Sequence, residues 1–233
     1  MAWAFVDVKA AGADGGSTTT VFAAVSTSSG DTLIVASTAE ATGGVLIDNI
    51  TDTAGNTWVP CGSPGGVASY NTIELWCAPV TSPNANTVVT ITYEASAEYR
   101  KASLSQYSGL ASPAFDAMSA ITLEGSATTS HSTANVTTTV DGDLLVGFFI
   151  YWTGTSGALT SSGNTTIRSQ IVENGNAVGD ATGASAGTHA THCESPEDCQ
   201  LACFTGAFKL AGAEPPAVGP KLHFIRSNIR PAI

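Results

Sequence analysis

His189, His192, Cys193, Cys199 and Cys203 lie within one short stretch and are the densest set of metal-ligating and redox-active side chains in the chain. Zinc would draw four such nitrogen and sulfur ligands into a tetrahedron. On an extended strand, however, His189 and His192 point to opposite faces. Convergence then needs a turn, which Glu194-Ser-Pro-Glu-Asp198 could supply. A local Cys193–Cys199 disulfide, or reduced thiols in an edge hairpin, would use the same residues without a metal. Cys61 and Cys77 fall on two predicted strands joined by a loop. That placement admits either a disulfide or two small buried thiols. Five cysteines leave at least one unpaired within a monomer.

Gly183-Ala-Ser185-Ala-Gly187 matches G-x-S-x-G, which places a serine nucleophile on a strained turn between a strand and a helix. Here Thr188 to Cys199 follows, with a proline and no helical period. Gly and Ser each make up about a tenth of the chain, so chance suffices. Asp48, Asp52 and Asn56 could offer oxygens to calcium, but Asx turns use the same residues without an ion. The 19 Asp and Glu residues are scattered, and nothing marks two of them as a facing pair for glycoside hydrolysis. Neither glycine-rich phosphate-binding motif is present. No catalytic residue, cofactor or metal is expected, and the chain reads as a non-enzyme.

The elements that would position these residues are strands. In Thr87–Tyr93, Val89, Ile91 and Tyr93 alternate with Thr90 and Thr92; Ile73, Leu75 and Cys77 alternate with Glu74 and Trp76. Trp76 therefore faces away from the expected core and is the candidate ring for stacking a glycan. Thr32–Ala36 and Leu144–Trp152 are more continuously apolar, as expected of strands buried in the middle of a sheet. Ser29-Gly30-Asp31, Thr53-Ala-Gly-Asn56, Asp141-Gly-Asp143 and Ser162-Gly-Asn164 supply turns. Strands are expected near 3–10, 18–27, 32–39, 45–49, 57–61, 69–79, 87–95, 99–108, 114–124, 133–140, 143–152, 165–173, 177–183 and 201–210. Many short strands at this spacing, with no helix among them, define an all-β antiparallel sandwich. Its connectivity would be jelly-roll-like or, alternatively, immunoglobulin-like.

Composition agrees. Thr (31) and Ser (24) make up roughly a quarter of the 233 residues, 12% are charged and 43% hydrophobic. The scarcity of Ala/Glu/Lys/Arg-rich stretches excludes a helical bundle or coiled coil, and recurrent apolar runs argue against disorder. A net charge of −11 disfavours nucleic-acid binding, since an acidic surface repels phosphate. The longest apolar run is about half a membrane span, so no membrane partner is expected. Met1–Lys9 lacks a basic stretch followed by an apolar one, so export by the general secretory route is not expected. The Ser/Thr/Gly-rich, Lys-poor composition nevertheless resembles that of extracellular and virion-surface β proteins.

The texture changes after Leu210. A sandwich domain is expected over 1–210. It is followed over 211–233 by a proline-rich linker and a basic arm, in which Lys221, Arg226 and Arg230 interleave with Leu222, Phe224, Ile225 and Ile229. An amphipathic basic arm on an acidic body either folds back as an extra edge strand or docks into a neighbouring subunit.

The order Ser29-Gly-Asp-Thr-Leu-Ile-Val35, Thr51–Trp58, Ile73-Glu-Leu-Trp-Cys-Ala78, Gln106-Tyr-Ser-Gly-Leu110, Gly142-Asp-Leu-Leu-Val-Gly147 and Thr205-Gly-Ala-Phe-Lys209 covers about 1–210. It resembles β-sandwich modules of tailed-phage structural proteins and of bacterial surface or secreted proteins. The resemblance implies a display or adhesion module with no catalytic residues. The expectation is a virion structural protein, made in the host cytoplasm and placed on the virion surface as a capsid decoration, head spike, turret or cement protein. Its partners would be itself and the major capsid or tail protein. The alternative is a carbohydrate-binding or adhesion module that takes host-surface glycans, on a virion or at the cell surface.

Overall fold

The computed structural model describes residues 2–67, 71–153, 157–170, 176–183 and 185–212, and every regular element in them is a strand. The first half supplies β1 (Ala4–Val21), β2 (Thr32–Glu40), β3 (Ile47–Asp52), β4 (Val59–Pro60), β5 (Gly65–Val67), β6 (Asn71–Pro79) and β7 (Val89–Ser108). The second supplies β8 (Leu110–Met118), β9 (Thr122–Leu123), β10 (Thr128–Ser132), β11 (Val136–Thr138), β12 (Leu144–Thr153) and β13 (Thr160–Ser161). It continues with β14 (Thr166–Gln170), β15 (Asn176–Thr182), β16 (Gly187–His189) and β17 (His192–Leu210). One antiparallel sheet runs β1-β7-β2-β6-β4, with β3 on β7 and β5 on β6. The other runs β10-β17-β12-β15-β14, with β8, β9 and β13 on β17, while β11 and β16 form a separate pair. The expected all-β antiparallel sandwich is thus what the chain forms. Its connectivity is simpler than the alternating order of a jelly roll: the chain passes from one main sheet to the other at Gly109, whose φ is +79°.

Ile34, Ile73, Leu75 and Tyr107 of the first sheet meet Leu144, Phe148, Phe204 and Phe208 of the second. Phe148 and Phe204 pack edge to face at 5.7 Å. Burying each such side chain contributes about 1.5–3 kcal/mol. The outward faces are covered too. Leu33, Val35 and Leu104 lie under Val45, Ile47, Ile50, Val89 and Ile91. Phe149, Ala177, Leu201 and Cys203 pack with Leu159, Cys193 and Cys199, and Leu145, Ala181 and Ala207 pack with Val136.

Long bent strands achieve this covering, where shorter separate ones were expected. The stretch 3–10 and the start of 18–27 belong to one strand, β1, whose register on β7 slips between Asp14 and Thr19 around Gly15, at φ +92°, and which ends at Val21. The stretches 87–95 and 99–108 are likewise one strand, β7. Its beginning pairs with β3 and its end with β2. The Cys-rich segment joins 201–210 as β17. A polar break in hydrophobic alternation therefore marks a bend here as readily as a strand end, because pairing continues through a bulge.

Candidate functional site

The first sheet places Trp76 where alternation puts it, opposite Leu75 and Cys77, but that face is a second core and not an open surface. The indole is half-buried against this outer core cluster, and its N–H donates to Glu74 at 3.2 Å. Glu74 also accepts the Ile47 N–H at 2.6 Å. Burial raises its pKa above the ordinary carboxyl value, and the two donors only partly offset this. The expected stacking platform is thus engaged in packing. The arm residues Lys221, Leu222, Phe224, Ile225, Arg226, Ile229 and Arg230 lie outside the described residues.

The other sequence candidates do not converge. His189 donates from Nε2 to the Ser185 carbonyl at 2.7 Å, while Cys193, Cys199 and Cys203 turn into the core of the second sheet. Among the described residues, no group of three His, Cys, Asp or Glu side chains could hold a metal ion. After Ser185 comes strand β16, not the helix a nucleophile elbow requires. Asp52 accepts the backbone N–H groups of Ala54 and Asn56 at 2.9 and 3.2 Å and the Trp58 indole N–H at 2.8 Å, so the Asx turn employs its oxygens. All five cysteines are thiols in the structure. The sulfurs of Cys61 and Cys77 touch at 2.9 Å, whereas Cys199 contacts His131 Nε2 at 3.5 Å.

Three polar clusters carry no local sequence motif. In the first, His131 is 1% exposed and donates from Nδ1 to the Glu124 carboxylate, 2.8 Å from its nearer oxygen. Its Nε2 lies 2.8 Å from Ser195 Oγ. This acid–imidazole–hydroxyl order is that of serine hydrolases. Ser195, however, is 8% exposed and its hydroxyl lies 2.7 Å from the Glu197 carbonyl, which can only accept. One proton has two acceptors, and the cluster acts as a staple between β10 and β17.

In the second cluster Asp143 is fully buried, and neither of its carboxyl oxygens reaches a hydrogen-bond partner. Desolvation and the neighbouring Asp116 carboxylate push its pKa up to about 7. Burial also acts to raise Asp116, but the Thr139 hydroxyl and N–H and Lys209, at 3.0 Å, outweigh it and hold Asp116 below the ordinary value. The third bridges the two sheets. Tyr107 donates to Asp180 at 3.1 Å, and Arg168 pairs with Asp180 at 2.8 Å while lying over the Phe5 ring at 4.6 Å. Desolvation and Asp180 keep the Tyr107 phenol well above its usual pKa, hence neutral.

Clefts open at the surface of the described residues. One, of about 500 Å³, lies between Gly62–Gly66 and the Phe115–Ile121 segment; another, of about 230 Å³, reaches Cys77. Neither is lined by a side chain of the three polar clusters; the smaller presents the Cys77 thiol. The cations of the described residues are all engaged internally. Lys9 pairs with Asp7, Arg168 with Asp180 and Lys209 with Asp116. Arg100 donates to the carbonyls of Gly15, Ser17 and Ala97, and Lys101 is buried. Exposed carboxylates such as Asp48, Glu94, Glu98 and Asp198 therefore set the sign of the surface. No known protein family, curated protein or solved structure matches the chain.

Proposed function

We propose that this chain is a non-enzymatic structural module of a tailed-phage virion, decorating the capsid or tail and held there through its C-terminal arm. The observation that carries this reading is the division of charge. Residues 1–212 contain five Lys/Arg against 18 Asp/Glu, and residues 213–233 contain three against one. With the body's own cations engaged in its fold, a basic arm with apolar residues at short intervals is complementary to the acidic surface of a neighbouring copy or capsid protein. For the carbohydrate-binding alternative, the candidate ring Trp76 is half-buried against the outer core and donates to Glu74.

Light scattering on the full chain beside a variant ending at Leu210 tests the reading. The full chain should form a defined oligomer and the shortened one a folded monomer that is not incorporated into particles. Normal incorporation of the shortened chain would overturn the role of the arm.

A further inference from the structure

Cys61 and Cys77 face the inter-sheet core as diagonal neighbours. The ladder pairs Val59 with Cys77, and the Cys61 N–H donates to the Leu75 carbonyl at 2.7 Å. Their sulfurs are 2.9 Å apart, with Cys61 1% and Cys77 4% exposed. Cys77 also lines the 230 Å³ cleft, whose other walls include Thr32, Thr57, Val59, Pro79 and Pro113 and no charged side chain. A thiol pair in mutual contact, with one member at the floor of an uncharged cleft, has what thiol–disulfide exchange requires: an attacking sulfur, a resolving sulfur and an entrance.

We propose that Cys61 and Cys77 form a redox site, in which Cys77 reacts with a small uncharged disulfide through the cleft and Cys61 resolves the product into an intramolecular disulfide. Cys77 releases its proton to solvent, and its thiolate attacks one sulfur of RSSR. That S–S bond breaks, RS⁻ leaves with the electron pair, and Cys77–S–SR remains. Cys61 then passes its proton to the departed thiolate and attacks the Cys77 sulfur, expelling the second RS⁻, which takes up a proton from water. The two thiols lose two electrons, and the disulfide is reduced to two RSH.

The contact itself sets the order of attack. The Cys61 S–H donates to Cys77 and holds the Cys77 thiol below its ordinary pKa, while the same contact and burial push Cys61 up. Burial raises Cys193 and Cys199, and it pushes Cys203 up to about 11, so the β17 thiols are poor nucleophiles. An anionic disulfide is disfavoured by the cleft's size and by a chain of net charge −11.

The full-length protein, reduced and freed of reductant, would be exposed at neutral pH to bis(2-hydroxyethyl) disulfide. It would then be quenched in acid, denatured, alkylated and peptide-mapped by mass spectrometry. The expected result is protection of Cys61 and Cys77 alone, in one linked peptide released by reductant, at a rate about tenfold that with glutathione disulfide. Cys61→Ser should stop at a mixed disulfide on Cys77, and Cys77→Ser should leave Cys61 unreacted. Alkylation of all five cysteines, protection at Cys193, Cys199 or Cys203, or a mixed disulfide accumulating on Cys61 would each overturn the proposal. The map of the unsubstituted chain decides the matter even if a serine variant misfolds.

Discussion

Asp143 is the side chain whose surroundings conflict most with its chemistry: a carboxyl with no hydrogen-bond partner, fully buried, beside another carboxylate. Its pKa in the fold is about 7, above the unfolded value, so between about pH 4 and 7 the folded state holds a proton that the unfolded state has lost. Stability from this group is complete below the unfolded pKa and is lost as pH rises through the folded one. Asp143→Asn keeps the size and shape of the side chain and removes its charge, and with it the penalty. The variant should match the parent near pH 4 and exceed it at pH 8 by about 1–3 kcal/mol, a rise of a few degrees in Tm. Thermal melts across that range check this, and an unchanged slope with pH would mean Asp143 is not the group responsible. Little of it was legible beforehand. Asp141-Gly-Asp143 reads as a turn, and the partner Asp116 is brought alongside only because β8 runs antiparallel to the end of β17, which carries Lys209.

At the scale of elements, β17 shows where reading the sequence stops. Phe204, Phe208 and the apolar half of β12 are plain in the pattern, and they form the ladder from Leu144–Phe208 to Ile150–Ala202. The preceding Glu194–Asp198 reads as an acidic turn. In the fold it is an excursion within one continuous strand: Glu194 is opposite Ser130 and Cys199 opposite Thr128, five steps on β17 against two on β10. His131 holds this excursion through Ser195, and Glu124 holds His131 while also accepting the Leu201 N–H at 2.9 Å. Three contacts scattered over some 75 residues leave no motif to find. Trp76 shows a related limit: it lies on the face that alternation gives it, but alternation does not tell what covers that face. His131→Ala would leave Glu124 with fewer donors and Ser195 without its ring partner, a loss of about 3–4 kcal/mol. Hydrogen exchange should then accelerate over 192–199 before it does in β12. Uniform acceleration throughout the second sheet would instead show that the staple is no local device.

For the whole molecule, charge and apolar area make separable contributions to association. The arm's Lys221, Arg226 and Arg230 would act on an acidic body over a distance set by salt, whereas Leu222, Phe224, Ile225 and Ile229 would act by burial. The screening length falls from about 10 Å at 0.1 M to about 3 Å at 1 M ionic strength. Raising salt should therefore weaken association of the full chain and slow it, without abolishing it, because the apolar part persists. Reversing Arg226 and Arg230 to Glu should weaken association about tenfold at low salt and have little effect at 1 M. Replacing Phe224 and Ile225 by Ser should weaken it at every salt concentration. Sedimentation velocity across a salt series distinguishes the terms. A response to salt that is the same with and without the basic residues would show that the acidic body associates by a surface of its own, and the arm would then have to serve a different partner.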